Sequence, residues 1–292
     1  MSEVIVAAPT APARVQRGMW RALLRSPSGV AGGMLLLVLV VLAVLAAAHL
    51  LPYDPAVQDV TARLKPPSPA HWFGTDQFGR DIFVRVSSGV ANSALVAVVA
   101  VAFAAVAGTL GGIVSGYLRG PADTTIGGIA NVIFAFPPLL LALTLVSVFT
   151  RSWFTVAIAI AIVYTPIFIR VTRGPVLTLR EVDYVNAAKT TGMRTPAILL
   201  RHILPNITGI LIVQVTLSLS WAVLTEASLS FLGLGTPPPA ASLGGMIYEA
   251  RTLVTIAPWT LLIPGAVVIV FVIALNLLGD GLRDALDPNR KG

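Results

Sequence analysis

The sequence predicts an all-α membrane protein with six transmembrane helices, and three observations carry that expectation. Of 292 residues, 56% are hydrophobic and 11% charged, and the mean hydropathy is +0.86, a balance far more apolar than that of soluble domains. Six windows hold no Asp, Glu, Lys or Arg: 29–51, 86–118, 124–150, 152–169, 203–225 and 252–279. Each is close to or above the roughly 20 residues a helix needs to cross the hydrocarbon core. Third, six spans put both termini on one side, and that side collects 14 of the 20 basic residues. They are Arg14, Arg17, Arg21 and Arg25, then Arg119, six between Arg170 and Arg201, and Arg283, Arg290 and Lys291. The positive-inside rule makes that side, and both termini, cytoplasmic.

Composition also excludes function classes. The net charge of +7 follows from topological bias and attraction to anionic membrane lipid, so no nucleic-acid partner is needed to explain it. There is no cysteine, which removes disulfides and thiol chemistry. His49, His71 and His202 fall in three separate segments, so no metal site and no histidine-based triad is predicted. No GxxxxGK[ST], HExxH or GxSxG motif is present, so the chain has no catalytic residue and binds no nucleotide cofactor of its own.

Taken in order, residues 1–28 form a cytoplasmic N-terminal segment and 29–51 the first transmembrane helix. Ala46-Ala47-Ala48 resembles a signal cleavage site, but the apolar run exceeds the roughly 7–15 residues of a signal core and is kept as a span. Residues 52–85 form an extracytoplasmic loop. Within it Asp76 and Asp81 stand near Arg80 and Arg85, which fits either a turn satisfied by its own charges or an exposed docking surface or gate. Residues 86–279 form a five-helix core. Its first window, at 1.5 Å per residue, would reach about 50 Å and must protrude or bend. Gly108, Gly112 and Gly116 give that helix a smooth face for close contact, inside the subunit or against a partner. Phe134, Phe136 and Pro137-Pro138 begin or kink the third span.

Segment 181–206 is a polar, basic inner loop. Ala187, Ala188, Leu199 and Leu200 could supply an apolar stripe beside Lys189, Arg194 and Arg201. Gly192 followed by Pro196 reads as the end of one short helix and the start of the next, because Gly accepts a left-handed cap and Pro fits a first turn. A helix–turn–helix elbow results, ending at Pro205-Asn206. Further on, Glu226 follows 203–225 at a depth where an ionisable group faces protein or water. Either it accepts hydrogen bonds from Asn92 or Ser93, or it lines a translocation path and attracts a cationic group. Run 227–251 holds three consecutive prolines and four glycines, so it is predicted to be an outer scoop loop. Residues 280–292 form a cytoplasmic tail.

Three stretches carry a family resemblance. Asn186-Ala187-Ala188, Gly192 and His202-Ile203-Leu204-Pro205-Asn206, at their spacing, resemble the EAA loop of binding-protein-dependent ABC importer permeases of the dipeptide, oligopeptide and nickel group. His71-Trp72-Phe73-Gly74-Thr75-Asp76-Gln77-Phe78-Gly79-Arg80-Asp81 is similar to the GTDxxGRD outer segment of the C-type subunit. Glu226 to Gly235 is similar to that group's outer end of the fifth span. The resemblance implies a type I ABC importer permease fold with a cytoplasmic coupling helix. It also implies a position in the bacterial cytoplasmic membrane and import of di- or oligopeptides by alternating access.

Its partners would be a second, B-type permease in a heterodimer, two cytoplasmic ATP-binding subunits that use ATP and Mg, an extracytoplasmic substrate-binding protein and the peptide substrate. The ATPase-docking residues would be Asn186, Ala187, Ala188, Lys189, Gly192, Met193, Arg194, Pro196, Arg201, His202 and Pro205. Trp72, Asp76, Arg80 and Asp81 would dock the binding protein or form an outer gate, and Glu226 and Asn92 would line the path. Asn186 replaces the family's usual Glu, Gly128 and Asn131 stand where Arg and Asp are expected, and Leu243 stands where Trp is common. Alternatives are nickel or another non-peptide cargo and, from a different class, a gradient-driven secondary transporter, for which six spans and one candidate acid offer little coupling chemistry.

Overall fold

A computed structural model describes residues 21–286; Arg14, Arg17, Arg290 and Lys291 lie outside the described residues. Helix α1 spans Pro27–Ala47, with Ser26 as N-cap and Pro27 in its first turn. His49 closes it at φ 54, where the amide of Leu50 donates to Leu45 O at 2.9 Å. Helix α1 lies against the last helix of the chain at small residues: a Cβ on Gly32 would meet the backbone of Leu278 and Ala274.

Helix α2, Ile82–Leu118, begins where Asp81 caps it by accepting from the amide of Val84. Its 37 residues, about 55 Å at 1.5 Å per residue, exceed the membrane core, as its apolar window implies. It packs on α5, Trp153–Leu179, through the glycine face. A Cβ at Gly108 would strike Phe168 and Thr165 O, one at Gly112 would meet Ile169 O and Thr172, and one at Gly116 would meet Arg173 O and Val176. The contact is thus within the subunit.

The window 124–150 forms two helices rather than one. Helix α3, Gly120–Phe134, and helix α4, Pro138–Val148, meet at 91°. Pro137 and Pro138 lack amide hydrogens, and the residue before a proline is driven out of helical geometry. Helix α5 runs about ten residues beyond the uncharged window 152–169, because its charged residues find lateral partners: Arg173 forms two 2.7 Å bonds to Asp123 at the start of α3.

The elbow comprises α6, Asp183–Thr190, α7, Thr195–Ile198, and a wide turn at Leu199–Ile203 leading into α8, Leu204–Phe231. The expected outer loop therefore starts later than 227, at Leu232, and Glu226 sits inside α8. Gly233 at φ 80 ends α8, with the Leu234 amide bonded to Leu229 O at 2.9 Å. The scoop contains a short helix, α9, Leu243–Ala250, capped by Ser242. Leu243, in place of the expected Trp, is fully buried against Gly89. Helix α10, Trp259–Leu286, continues through the first seven residues of the expected tail. Among the described residues five helices are long and apolar enough to cross a membrane, or six counting the bent α3–α4 pair. The main core joins α2, α5, α8 and α10 around Phe168, Ile160, Val96 and Phe271.

Candidate functional site

The elbow is a small folded unit with a core of its own. Val185, Ala188, Ile198, Ile203 and Ile207 bury themselves with Ile113 of α2 and Val176 of α5. Gly192, at φ 79, takes the left-handed residue that ends α6, and two bonds close the cap: Gly192 N to Lys189 O at 3.0 Å and Met193 N to Ala188 O at 3.1 Å. Met193 folds onto the same apolar cluster, which is the hydrophobic contact that accompanies such caps. Pro196 stands in the first turn of α7, as its spacing from Gly192 predicts.

This core sorts the predicted docking residues into two sets. Ala188 is buried and Leu199 turns inward, whereas Ala187 is exposed and Leu200 is 65% exposed, so the four do not form one stripe. Gly192, Arg194, Pro196, Arg201 and Pro205 are also exposed. Lys189 is held by its own chain: Nζ donates to Arg180 O at 2.8 Å and Asn186 Oδ1 at 2.9 Å. Asn186 in turn donates to Glu181 O at 3.0 Å. The amide that replaces an acid at this position thus braces the elbow rather than projecting a charge. His202 lies beside Tyr184, ring centroids 6.0 Å apart, and its backbone carbonyl accepts from Asn206 at 2.6 Å. Arg180 ties the elbow to α2 by donating to Tyr117 O at 2.6 Å. The open face therefore includes Ala187, Thr191, Arg194, Pro196, Leu200 and Arg201: small and apolar groups with two arginines that have no counter-charge among the described residues.

At the other end, the 52–81 loop is fastened by a buried charge network. Asp76 accepts from the amides of Phe78 at 2.8 Å and Arg80 at 3.0 Å and from Arg80 Nε at 2.6 Å. Arg80 Nη2 donates to Glu249 Oε2 of α9 at 2.6 Å. Arg85, 2% exposed, lies 3.4 Å from Asp76 and 3.5 Å from Glu249. Asp81 pairs with His71 at 2.9 Å. Thr75 hydroxyl donates to Ala62 O, and Trp259 Nε1 reaches Thr75 O at 3.3 Å. Near the loop's start, the Asp59 carboxylate is held below its ordinary range by the hydroxyl and amide of Thr61. Asp76, Arg80 and Asp81 thus spend their charges inside the fold, and Trp72, 65% exposed, is the member of the predicted set that faces outward. In the sequence His71 is read only as the first residue of the outer motif, not as a partner of Asp81, and Glu249 is absent from the sequence expectation; Glu249 is 169 residues from Arg80, and no local pattern links them.

Glu226 is fully buried. Ser93 donates to its Oε2 at 2.5 Å and Ser230 to its Oε1 at 2.6 Å. Asn92 does not reach it and donates instead to Ala241 O of the scoop at 3.1 Å.

Long apolar helices around one core, a broken span and a folded helical elbow define a multi-pass membrane protein. The model of the family described as "binding-protein-dependent transport system inner membrane component" matches residues 108–292, and that of the "N-terminal TM domain of oligopeptide transport permease C" matches residues 17–67. The chain belongs to this family of binding-protein-dependent permeases. As the membrane component it leaves ATP hydrolysis to separate subunits. A glutathione transport system permease protein of Pectobacterium atrosepticum is 41% identical, covering 94% of this chain and 91% of the relative. A dipeptide transport system permease protein of Alkalihalophilus pseudofirmus is 45% identical, covering 78% and 75%. The oligopeptide transport system permease protein of Bacillus subtilis is 39% identical, covering 88% and 84%. A chain of the methionine ABC transporter MetNI, in inward-facing conformations, shares the fold with a TM-score of 0.57 and 17% identity, covering 70% of this chain and 96% of that one.

Proposed function

We propose that this chain is the C-type permease subunit of an ATP-driven peptide importer, and that its elbow is where an ATP-binding subunit docks. The observation that carries the reading is the elbow: a unit packed through an apolar cluster onto α2 and α5 that presents on an open face small residues and two arginines with no counter-charge among the described residues. Small side chains permit close packing, and the arginines favour an acidic groove. The relatives named for dipeptide and oligopeptide transport support peptide as cargo. The elbow side is cytoplasmic, and both termini lie there. Two such subunits use ATP and Mg, a B-type permease completes the path, and an extracytoplasmic binding protein delivers substrate at the face bearing Trp72. Closure of the ATPase pair moves the elbows, and their anchorage to α2 and α5 through Arg180, Ile113 and Val176 carries that motion into the spans.

The docking test uses Ala187→Trp with Arg194→Glu, both on the open face; Ala188 is unsuitable because it belongs to the elbow's core. In a pull-down from detergent-solubilised membranes, the wild-type chain should bring an active ATPase with it and the double variant should not, while both insert and melt alike. Equal recovery of ATPase by the two chains would remove the elbow from this role.

A further inference from the structure

Tyr117 stands one residue before the end of α2, and two cations of the elbow region converge on its ring. The guanidinium carbon of Arg180, which caps the end of α5, lies 5.9 Å from the ring centroid. Nζ of Lys189, in the last turn of α6, lies 5.7 Å from it. These three residues form a closed circuit. Arg180 Nη1 donates to Tyr117 O at 2.6 Å, Lys189 Nζ donates to Arg180 O at 2.8 Å, and Lys189 returns to the Tyr117 ring. Glu181 Oε1 lies 2.9 Å from Arg180 Nε and 3.3 Å from Arg119 Nη2, so one carboxylate serves this corner from outside the circuit. Tyr117 is half-buried and also packs on the apolar cluster of the elbow.

Like charges brought to one place repel, and the electron-rich face of the ring offsets that cost. Each such contact at an exposed site shifts an equilibrium by about two- to fivefold. The apolar cluster holds the elbow on α2 and α5 by contacts that have no direction, so it resists separation more than sliding. The Tyr117 circuit adds direction, because two hydrogen bonds of fixed geometry and two cations at one ring restrict where α6 sits along α2. Helix α2 then continues without a break to its outer end, where Asp81 caps it. Tyr117 therefore stands at the inner end of a helix whose other end belongs to the outer charge network, and coupling between distant sites travels through such contiguous packed elements.

We propose that Tyr117 is a positioning residue for transport: its ring keys α6 to α2, so that displacement of the elbow drives α2 instead of slipping past it. The inference rests on the reading of the elbow as the docking site of the ATP-binding subunit. Arg180 and Lys189 act through the ring. Loss of the ring leaves the apolar cluster, and with it assembly, in place, and ATP hydrolysis then proceeds with less peptide moved.

The complete transporter is reconstituted in liposomes, and dialanine imported per ATP hydrolysed is measured for Tyr117→Phe, Tyr117→Leu, Lys189→Met and the Tyr117→Leu, Lys189→Met pair. Tyr117→Phe should keep the wild-type ratio, because the contacts of Tyr117 with the two cations run through its ring and its backbone carbonyl. Tyr117→Leu keeps an apolar contact without the ring, so the ratio should fall about threefold or more while the ATPase is recovered at wild-type level in a pull-down. The double variant should be no worse than Lys189→Met alone, since both changes break one contact. A wild-type ratio for Tyr117→Leu would overturn the inference, as would Tyr117→Phe failing equally, or defects of the single variants that multiply in the pair. Loss of the ATPase or of folded protein in Tyr117→Leu would make the ring a prop of the elbow and would overturn it too. A wild-type complex that recovers no ATPase, or imports no dialanine, strikes those readings instead, and the keying is then read on the chain alone: the melting shifts of Tyr117→Leu and Lys189→Met should fail to add, and additive shifts would remove it.

Discussion

Ser93 and Ser230 point their hydroxyls at a carboxylate with no exposed surface, and this makes Glu226 a fastening between α2 and α8. Removing a buried acceptor strands both donors and leaves a void. Glu226→Ala should therefore destabilise the chain by about 2–4 kcal/mol, seen as a lower Tm of the detergent-solubilised complex. Glu226→Gln keeps an acceptor and the volume, so its Tm should fall between the two. If the Ala variant melts like the wild type while import fails, the carboxylate acts on substrate and not on the fold. Gly79 is a second residue-scale constraint. It sits at φ 76, and a Cβ there would run into the carbonyl of Asp59, so Gly79→Ala should unseat the 52–81 loop. Faster proteolysis within that loop is the expected signature, with the loss of stability above the roughly 1 kcal/mol of a left-handed Ala alone.

At the scale of elements, the α2–α5 contact depends on the absence of side chains. Association of helices within lipid comes from packing, since apolar side chains are equally at home in the acyl chains. At Gly112 the opposing backbone carbonyl of Ile169 would lie 2.6 Å from a Cβ. Gly112→Leu should force the helices apart and reduce folded yield several-fold by fluorescence size exclusion. Gly127→Leu is the control, because nothing lies within 4 Å of a Cβ there. The glycine spacing was legible in the sequence, but its partner was not. A four-residue repeat states which face is smooth, and only the fold states that α5 rather than another subunit lies on it. The elbow was legible in the same way. Gly192 and Pro196 marked the helix ends through backbone rules that act locally, while the inward turn of Ala188 and outward turn of Ala187 depended on where Ile113 and Val176 stand.

Across the whole molecule, the outer charge network joins the first third of the chain to the last. Arg80 and Arg85 share Asp76 with the loop and Glu249 with α9, so the loop and scoop are one buried assembly. Removing Glu249 would leave Arg80 and Arg85 to share the single carboxylate of Asp76, which favours loosening of the contact between loop and scoop. Glu249→Ala should accordingly loosen both segments at once. Hydrogen exchange should rise in 52–81 and 232–258 together, while the elbow keeps its protection. A rise confined to the scoop would mean that Asp76 alone holds the arginines.

Apolar runs, charge-free windows, caps and prolines act over a few residues, and from them the sequence by itself determined the helical membrane class, the elbow and the bend near Pro137. Charge pairing and burial depend on which distant segments meet, and these only the tertiary structure decided. It placed Glu249 on Arg80, drew Lys189 and Asn186 into the elbow's own bracing, and continued α5 and α8 past their expected ends. The physical reason is range: backbone conformation is set by near neighbours along the chain, whereas the partner of a buried charge is set by whatever the folded helices bring within about 4 Å.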